Sequence, residues 1–244
     1  MSNTEFAIIV ENLYIRYKSL KSYSIKKNLL RLKKSESDEF EAVKGVSFKV
    51  PKGEIMGIIG KNGSGKSTML RAIAGIFSAD EGSIDLCGNK VALLSIGVGF
   101  NQRLTGRENI LLSGMLLGYT ETEVRAKMQE IIDFAEIGQF IDKPVRTYSS
   151  GMHSKLAFAI TTVLETDVML VDEVLSVGDE RFKKKSFNKM KELISNKERT
   201  VMIVSHNIAQ LNELCDTVMW MHEGKIIKIG PSEEVLAEYK EFMK

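Results

Sequence analysis

The sequence predicts an α/β fold with a mainly parallel central sheet, an N-terminal antiparallel β part and an inserted helical subdomain. Three features carry that expectation. Residues 54–74 read as strand, glycine loop and helix in succession. Val168-Met169-Leu170-Val171 and Val201-Met202-Ile203-Val204 are continuous apolar runs, which suits central parallel strands covered on both faces. From about residue 102 to 165 the apolar spacing becomes helical.

The elements follow in order. Residues 6–17 read as the first strand. Residues 19–41 are polar and lysine-rich, with Tyr23, Ile25, Leu29, Leu30 and Leu32 in partial helical spacing among Lys26, Lys27, Arg31, Lys33 and Lys34. That pattern suits a basic amphipathic helix and equally a solvated surface insertion. Residues 43–50 form a second strand, closed by a Pro51-Lys52-Gly53 turn, and the apolar run 54–59 a third. Residues 69–74 read as a helix; Asp80-Glu81-Gly82 turns the chain into a strand at 83–86, and 90–94 supplies another. In the helical part, Ile110, Leu111 and Met115 mark one run, Val124, Met128, Ile131, Ile132 and Ala135 a second, and residues 156–164 a third. Residues 218–222 and 225–229, joined at Glu223-Gly224, read as a terminal hairpin. The expected organisation is a single domain over residues 1–244.

Bulk properties narrow the function classes. With 244 residues, 43% hydrophobic and 27% charged, and a formal net charge of +2, the composition is that of an ordinary globular protein and gives no sign of a nucleic-acid partner. Cys87 and Cys215 lie far apart without C-x-x-C spacing, which argues against a zinc site or a disulfide framework and fits a reducing cytosol. Ser113 and Gly114 interrupt the apolar stretch at 110–117, well short of the roughly 20 residues a membrane span needs. The N-terminus, with Glu5 and Glu11 around Phe6-Ala7-Ile8-Ile9-Val10, lacks a signal-peptide pattern, so any membrane role is expected to come through a partner or a surface contact.

The chemistry starts at Gly60-Lys61-Asn62-Gly63-Ser64-Gly65-Lys66-Ser67-Thr68, which fits G-x-x-x-x-G-K-[ST]. Strand, glycine loop and helix in that order aim a ring of backbone N–H groups and the positive end of a helix dipole at one anion. The glycines permit the tight turn, Lys66 reaches the β- and γ-phosphates of a nucleotide, and the Ser67 hydroxyl ligates Mg²⁺. The bland alternative is a chance match in a glycine-rich turn, against which both flanks speak. A second half follows about a hundred residues on, where an apolar strand ends in Asp172-Glu173. Asp172 is placed to hold Mg²⁺ through water, and Glu173 to orient or deprotonate the attacking water. Taken alone, the same peptide is a strand ending in a solvated acidic turn. Ser205-His206 ends the next apolar strand, and because ligands of such sheets gather at the carboxyl ends of strands, His206 is expected at the γ-phosphate.

These residues resemble the ATP-binding cassette family, a P-loop NTPase class with a RecA-like core, over nearly the entire chain. The family's signature peptide, usually Leu-Ser-Gly-Gly-Gln, is replaced by Tyr148-Ser149-Ser150-Gly151-Met152. Small residues opening a helix make an anion site from backbone N–H groups and a hydroxyl, and the resemblance implies that Ser149, Ser150 and Gly151 grip the γ-phosphate held by the opposite subunit; a simple helix N-cap is the other reading. By the same resemblance Tyr17 stacks on adenine, and Ser176-Val177-Gly178-Asp179 couples the two sites across a dimer. One position departs from the pattern. The glutamine that touches Mg²⁺ in the family belongs near residues 95–102, where counting back from Leu104-Thr105 gives Ser95 or Ile96; Gln102 comes too late.

Tyr148 to Met152, Leu104-Thr105-Gly106-Arg107-Glu108-Asn109 and residues 172–179 look like bacterial exporters of cell-surface polysaccharide, of the teichoic acid and O-antigen type, with capsule exporters next. The resemblance implies a homodimer closing head to tail around two ATP molecules and Mg²⁺. It drives two copies of a transmembrane permease that carries lipid-linked polysaccharide. The chain is then peripheral, on the cytoplasmic face of the inner membrane. Some O-antigen ATPases carry a carbohydrate-binding domain after the cassette; none is expected here. Other cassette transporters, a cassette ATPase acting on ribosomes or DNA, and a P-loop kinase are the competing readings.

Overall fold

The computed structural model describes residues 5–18, 39–94, 100–164, 166–172, 179–195 and 199–244. A three-stranded antiparallel sheet contains β1 (Phe6–Lys18), β2 (Glu39–Pro51) and β4 (Glu81–Asp85), in the order β2-β1-β4. A six-stranded sheet runs β5-β6-β7-β3-β8-β9, from β3 (Ile55–Ile59), β5 (Val91–Leu94), β6 (Val168–Asp172), β7 (Thr200–Val204), β8 (Thr217–His222) and β9 (Lys225–Pro231). Its first five members pair in parallel and β9 closes antiparallel on β8. The hairpin turns at Glu223 and Gly224, both at positive φ, as a tight two-residue connection demands.

The central strands are apolar throughout because both faces are covered. On β6, Met169 and Val171 enter a core with Phe158, Phe182 and Trp220, while Val168 and Leu170 enter one with Met69, Leu70 and the inner faces of β1 and β2. The period-2 alternation therefore divides one apolar run between two cores, which is the usual state of a buried parallel strand.

The helical subdomain contains α2 (Gly106–Leu116), α3 (Glu121–Ala135) and α4 (Ser150–Val163), with 3-10 turns at Gly138–Asp142 and Val145–Thr147. Both α2 and α3 open with capping boxes, Thr105 with Glu108 and Thr120 with Glu123, each satisfying backbone donors reciprocally. Its core joins Ile110, Val124, Ile131, Leu156 and Ile160.

Several boundaries differ from expectation. β2 begins at Glu39 rather than Val43, because its outer residues Glu39, Phe40 and Glu41 pair with Lys18, Tyr17 and Arg16 of β1. The strand thus absorbs the end of the lysine-rich stretch 19–41, whose remainder, 19–38, lies outside the described residues. β4 begins at Glu81, held by pairing of Glu81 to Tyr14 although its side chains are mostly exposed. Three helices complete the chain beyond the predicted elements: α5 (Glu180–Ser195), α6 (Ile208–Leu214) and α7 (Ser232–Phe242). With α1 (Lys66–Ile73) after β3, they cover the sheet. No helix of the described residues is long and apolar enough to cross a membrane.

Candidate functional site

Three parallel strand ends create the site. Ile58 of β3, Val204 of β7 and Asp172 of β6 occupy one row across adjacent strands. The segments leaving that row, at Gly60, Ser205 and Asp172, therefore emerge on one edge of the sheet, about 4.8 Å apart from strand to strand.

The loop between β3 and α1 is held from both sides. A Cβ on Gly60 would lie 2.2 Å from the Met221 carbonyl oxygen, and one on Gly65 would lie 2.3 Å from that of Ala42. Only glycine fits at such approaches, and Gly65 also takes φ 96°. The Gly224 N–H donates to the Ser64 carbonyl at 3.2 Å, tying the loop to the β8–β9 turn. Asn62 and Gly63 are exposed at the loop's crest, whereas Ser64 is buried. Gly65 occupies the N-cap of α1 and so offers no side chain to the helix's first N–H groups.

Lys66 is only 5% exposed, an unusual burial for an ammonium. Its Nζ donates to the carbonyls of Gly60 at 2.8 Å and Lys61 at 2.9 Å. The Ser67 hydroxyl donates to Asp172 Oδ1 at 2.8 Å, bringing together two residues 105 positions apart. A hydroxyl and a carboxylate are hard oxygen donors of the kind Mg²⁺ prefers, and that ion commonly takes its other ligands from water and phosphate. Tyr17 sits at the end of β1 with its hydroxyl 3.3 Å from that of Thr68, and Phe77 packs edge-on against its ring at 6.0 Å between centroids.

His206 is exposed where β7 gives way to α6. Its neighbours brace that exit: the Asn207 N–H donates to Ser205 Oγ at 3.0 Å, Ser205 Oγ donates to Gln210 Oε1 at 3.1 Å, and Asn207 Oδ1 caps α6 by accepting from Gln210 N at 3.2 Å. Glu173 lies outside the described residues, as does the rest of 173–178. Asp172 and Asp179 bracket that segment.

Ser149 caps α4, its hydroxyl accepting from Met152 N at 3.2 Å, and the Ser150 carbonyl accepts from Ser154 Oγ at 2.9 Å. Among the described residues these bonds stay within α4, and none joins 149–151 to the loop at 60–68. Within one chain the structure thus brings together Lys66, Ser67, Thr68, Tyr17 and Asp172 but not the signature peptide. Gly151 has no packing reason to be glycine, since the nearest atom to a Cβ there is Ser149 Oγ at 3.9 Å.

Two of the three peptides that carry the branch resemblance, 104–109 and 148–152, are in contact. A Cβ on Gly106 would lie 2.2 Å from the Tyr148 hydroxyl, which itself donates to the Phe140 carbonyl at 2.8 Å. Asn109, fully buried, accepts from Asn101 N at 2.8 Å and donates to the Thr105 carbonyl at 2.8 Å, so the loop before α2 is pinned to that helix. Residues 104–109 thereby fix the approach to Ser149. Ser95 and Ile96 lie outside the described residues; the Gln102 carbonyl accepts from Arg146 N at 3.0 Å.

One relationship escaped the sequence reading. Lys155, four residues after Gly151 on α4, bonds Asp179 at the start of α5, and that ammonium, followed by the Phe182 N–H, holds the Asp179 carboxyl down at about 2. The two cysteines are free thiols, and burial pushes Cys215 up to about 12.

The family model described as ABC transporter matches residues 43–176. The chain is 42% identical over 205 residues to the O-antigen export system ATP-binding protein RfbB of Klebsiella pneumoniae, which covers 84% of this chain and 83% of the relative. It is 47% identical over 200 residues to the protein of that name in Myxococcus xanthus, covering 82% of this chain and 46% of the relative. It is 43% identical over 241 residues to the teichoic acids export ATP-binding protein TagH of Bacillus cereus, covering 98% of this chain and 43% of the relative. The chain therefore spans about half the length of the last two relatives, at 46% and 43%. Among solved structures, an ATP-binding subunit of an ABC transporter superposes with a TM-score of 0.74 at 20% identity, covering 96% of this chain and 93% of that one. A dimeric ATP-binding cassette in a post-hydrolysis state with ADP and Pi gives 0.72 at 20% identity, covering 92% and 98%. These last two likenesses are of fold: a P-loop NTPase-like α/β core with an antiparallel β part.

Proposed function

The chain belongs to the ABC transporter family, and from that premise we propose that it is the ATP-binding and ATP-hydrolysing subunit of a bacterial transporter exporting lipid-linked cell-surface polysaccharide, of teichoic acid or O-antigen type. The observation that carries the ATPase reading is the Ser67–Asp172 hydrogen bond beside the buried Lys66 ammonium, because it joins the phosphate loop to the carboxylate strand.

The residues then act in turn. Backbone N–H groups of residues 63–68 and the start of α1 cradle the phosphates of ATP. Lys66 leaves the carbonyls of Gly60 and Lys61 for the β- and γ-phosphates, exchanging neutral acceptors for charged ones and so gaining stronger hydrogen bonds. Ser67 and Asp172 would hold Mg²⁺, which would supply neutralisation of the negative charge on the phosphates. Glu173 orients the attacking water and His206 contacts the γ-phosphate from the neighbouring strand end. Tyr17 stacks on the base. Ser149, Ser150 and Gly151 of a second copy complete the pocket, a reading supported by a glycine that the chain's own packing does not require. Two such copies work with a permease pair at the cytoplasmic face of the inner membrane.

Calorimetric titration with MgATP tests the nucleotide site: Lys66→Ala is expected to weaken binding about 30-fold or more, as loss of charge-assisted bonds to phosphate implies. Unchanged affinity overturns it. The cargo is tested in cells, where loss of the chain is expected to leave lipid-linked polymer inside the membrane and none at the surface.

A further inference from the structure

We propose that Phe40 is a second aromatic surface for the base of the bound nucleotide, beside Tyr17 at the mouth of the phosphate loop. This rests on the nucleotide reading above and adds a residue that recognises the base rather than the phosphates.

Tyr17 and Phe40 are direct partners on antiparallel β1 and β2. Direct partners project from the same face of a sheet, with Cβ atoms about 5 Å apart. That face is turned toward the nucleotide loop, since the Tyr17 hydroxyl lies 3.3 Å from Thr68 in the first turn of α1. β2 itself runs past the loop: the Ala42 carbonyl abuts Gly65, and Phe40 lies two residues further along, about 7 Å by strand rise. Ala42 and Val43 are buried, yet Phe40 is 60% exposed and Tyr17 40%. Two rings side by side and open to solvent, one of them touching the residue that follows Lys66-Ser67, are suited to a flat apolar ligand tethered to the phosphates. A purine base has that shape, and its stacking on aromatic rings is strong and undemanding in hydrogen-bond geometry. Phe77, edge-on to Tyr17, keeps the first ring in place.

The test compares MgATP with magnesium tripolyphosphate, which presents the phosphates without a base, by calorimetry on the full chain. Phe40→Ala is expected to raise the Kd for MgATP about tenfold and to leave that for tripolyphosphate within about twofold. Phe40→Tyr is expected to restore the affinity and Phe40→Leu, apolar but ringless, to fail. An unchanged MgATP affinity in Phe40→Ala overturns the proposal; an equal loss for both ligands overturns it in favour of a structural role. Lys66→Ala separates the layers. If that variant loses both ligands while Phe40→Ala binds normally, only the Phe40 assignment falls. If Lys66→Ala binds both as the native chain does, the nucleotide reading falls with it.

Discussion

Lys155 Nζ and Asp179 Oδ2 meet at 2.8 Å, with the ammonium also 4.9 Å over the Phe182 ring. Asp179 uses its other oxygen to accept from Phe182 N at 2.9 Å, heading α5. The helix that opens with Ser149 is thus tied to the residue that precedes α5, six positions after Glu173 in the sequence.

That tie predicts a kinetic effect. Lys155→Ala is expected to lower kcat about tenfold with KM within about twofold, because, on the role proposed for Glu173, a small misplacement of its carboxylate is costly whereas ground-state binding does not pass through it. Lys155→Arg is expected to retain the rate. Steady-state ATPase kinetics decide; an unchanged kcat in Lys155→Ala makes the contact an ordinary surface ion pair.

The same pair has an acid signature. With Asp179 held at about 2 in the fold, against about 3.9 in an unfolded chain, its carboxylate favours the folded state above roughly pH 4. That contribution fades as pH falls through the folded value. Melting temperatures between pH 4 and pH 2 are expected to decline less steeply in Lys155→Ala than in the native chain, and parallel declines would contradict the assignment.

Gly151 and Gly106 are expected to separate function from folding. Gly151→Ala meets no neighbour closer than 3.9 Å and gains helix propensity, so stability holds or rises by up to about 1 kcal/mol while ATP hydrolysis falls at least tenfold. Gly106→Ala collides with the Tyr148 hydroxyl and is expected to cost about 1–3 kcal/mol. Denaturant melts beside ATPase assays check both, and full activity in Gly151→Ala would remove the partner's phosphate from that helix end.

Glu173→Gln is expected to bind MgATP, to hydrolyse it about a hundredfold more slowly or less, and to accumulate as a nucleotide-bound dimer on gel filtration. A monomer at saturating ATP with turnover intact refutes its role.

The parts of this architecture that local chemistry dictates were legible in the sequence. Strand, glycine loop and helix at residues 54–74 are continuous in the chain, and buried parallel strands announce themselves as apolar runs. α5 was harder, because its buried stripe of Phe182, Ser186, Met190 and Leu193 is broken by a serine and set among six lysines and arginines and two glutamates over residues 180–195, so the polar face dominates the pattern. β4 and the outer end of β2 carry exposed side chains and exist through pairing with β1. In the candidate site, the bringing together of Lys66, Ser67 and Asp172 was legible from motif spacing. The Lys155–Asp179 tie and the Gly106–Tyr148 contact depend on how distant helices pack, which spacing alone does not encode.

The nucleotide loop is wedged, with Ala42 of β2 against Gly65 on one flank and Met221 of β8 against Gly60 on the other. A loop pinched in this way has little freedom to open and shut like a lid. Its shape is set before any ligand arrives, so capture should be fast and governed by encounter, and any large motion in the working cycle must hinge elsewhere and carry the loop, β2 and β8 as one rigid block.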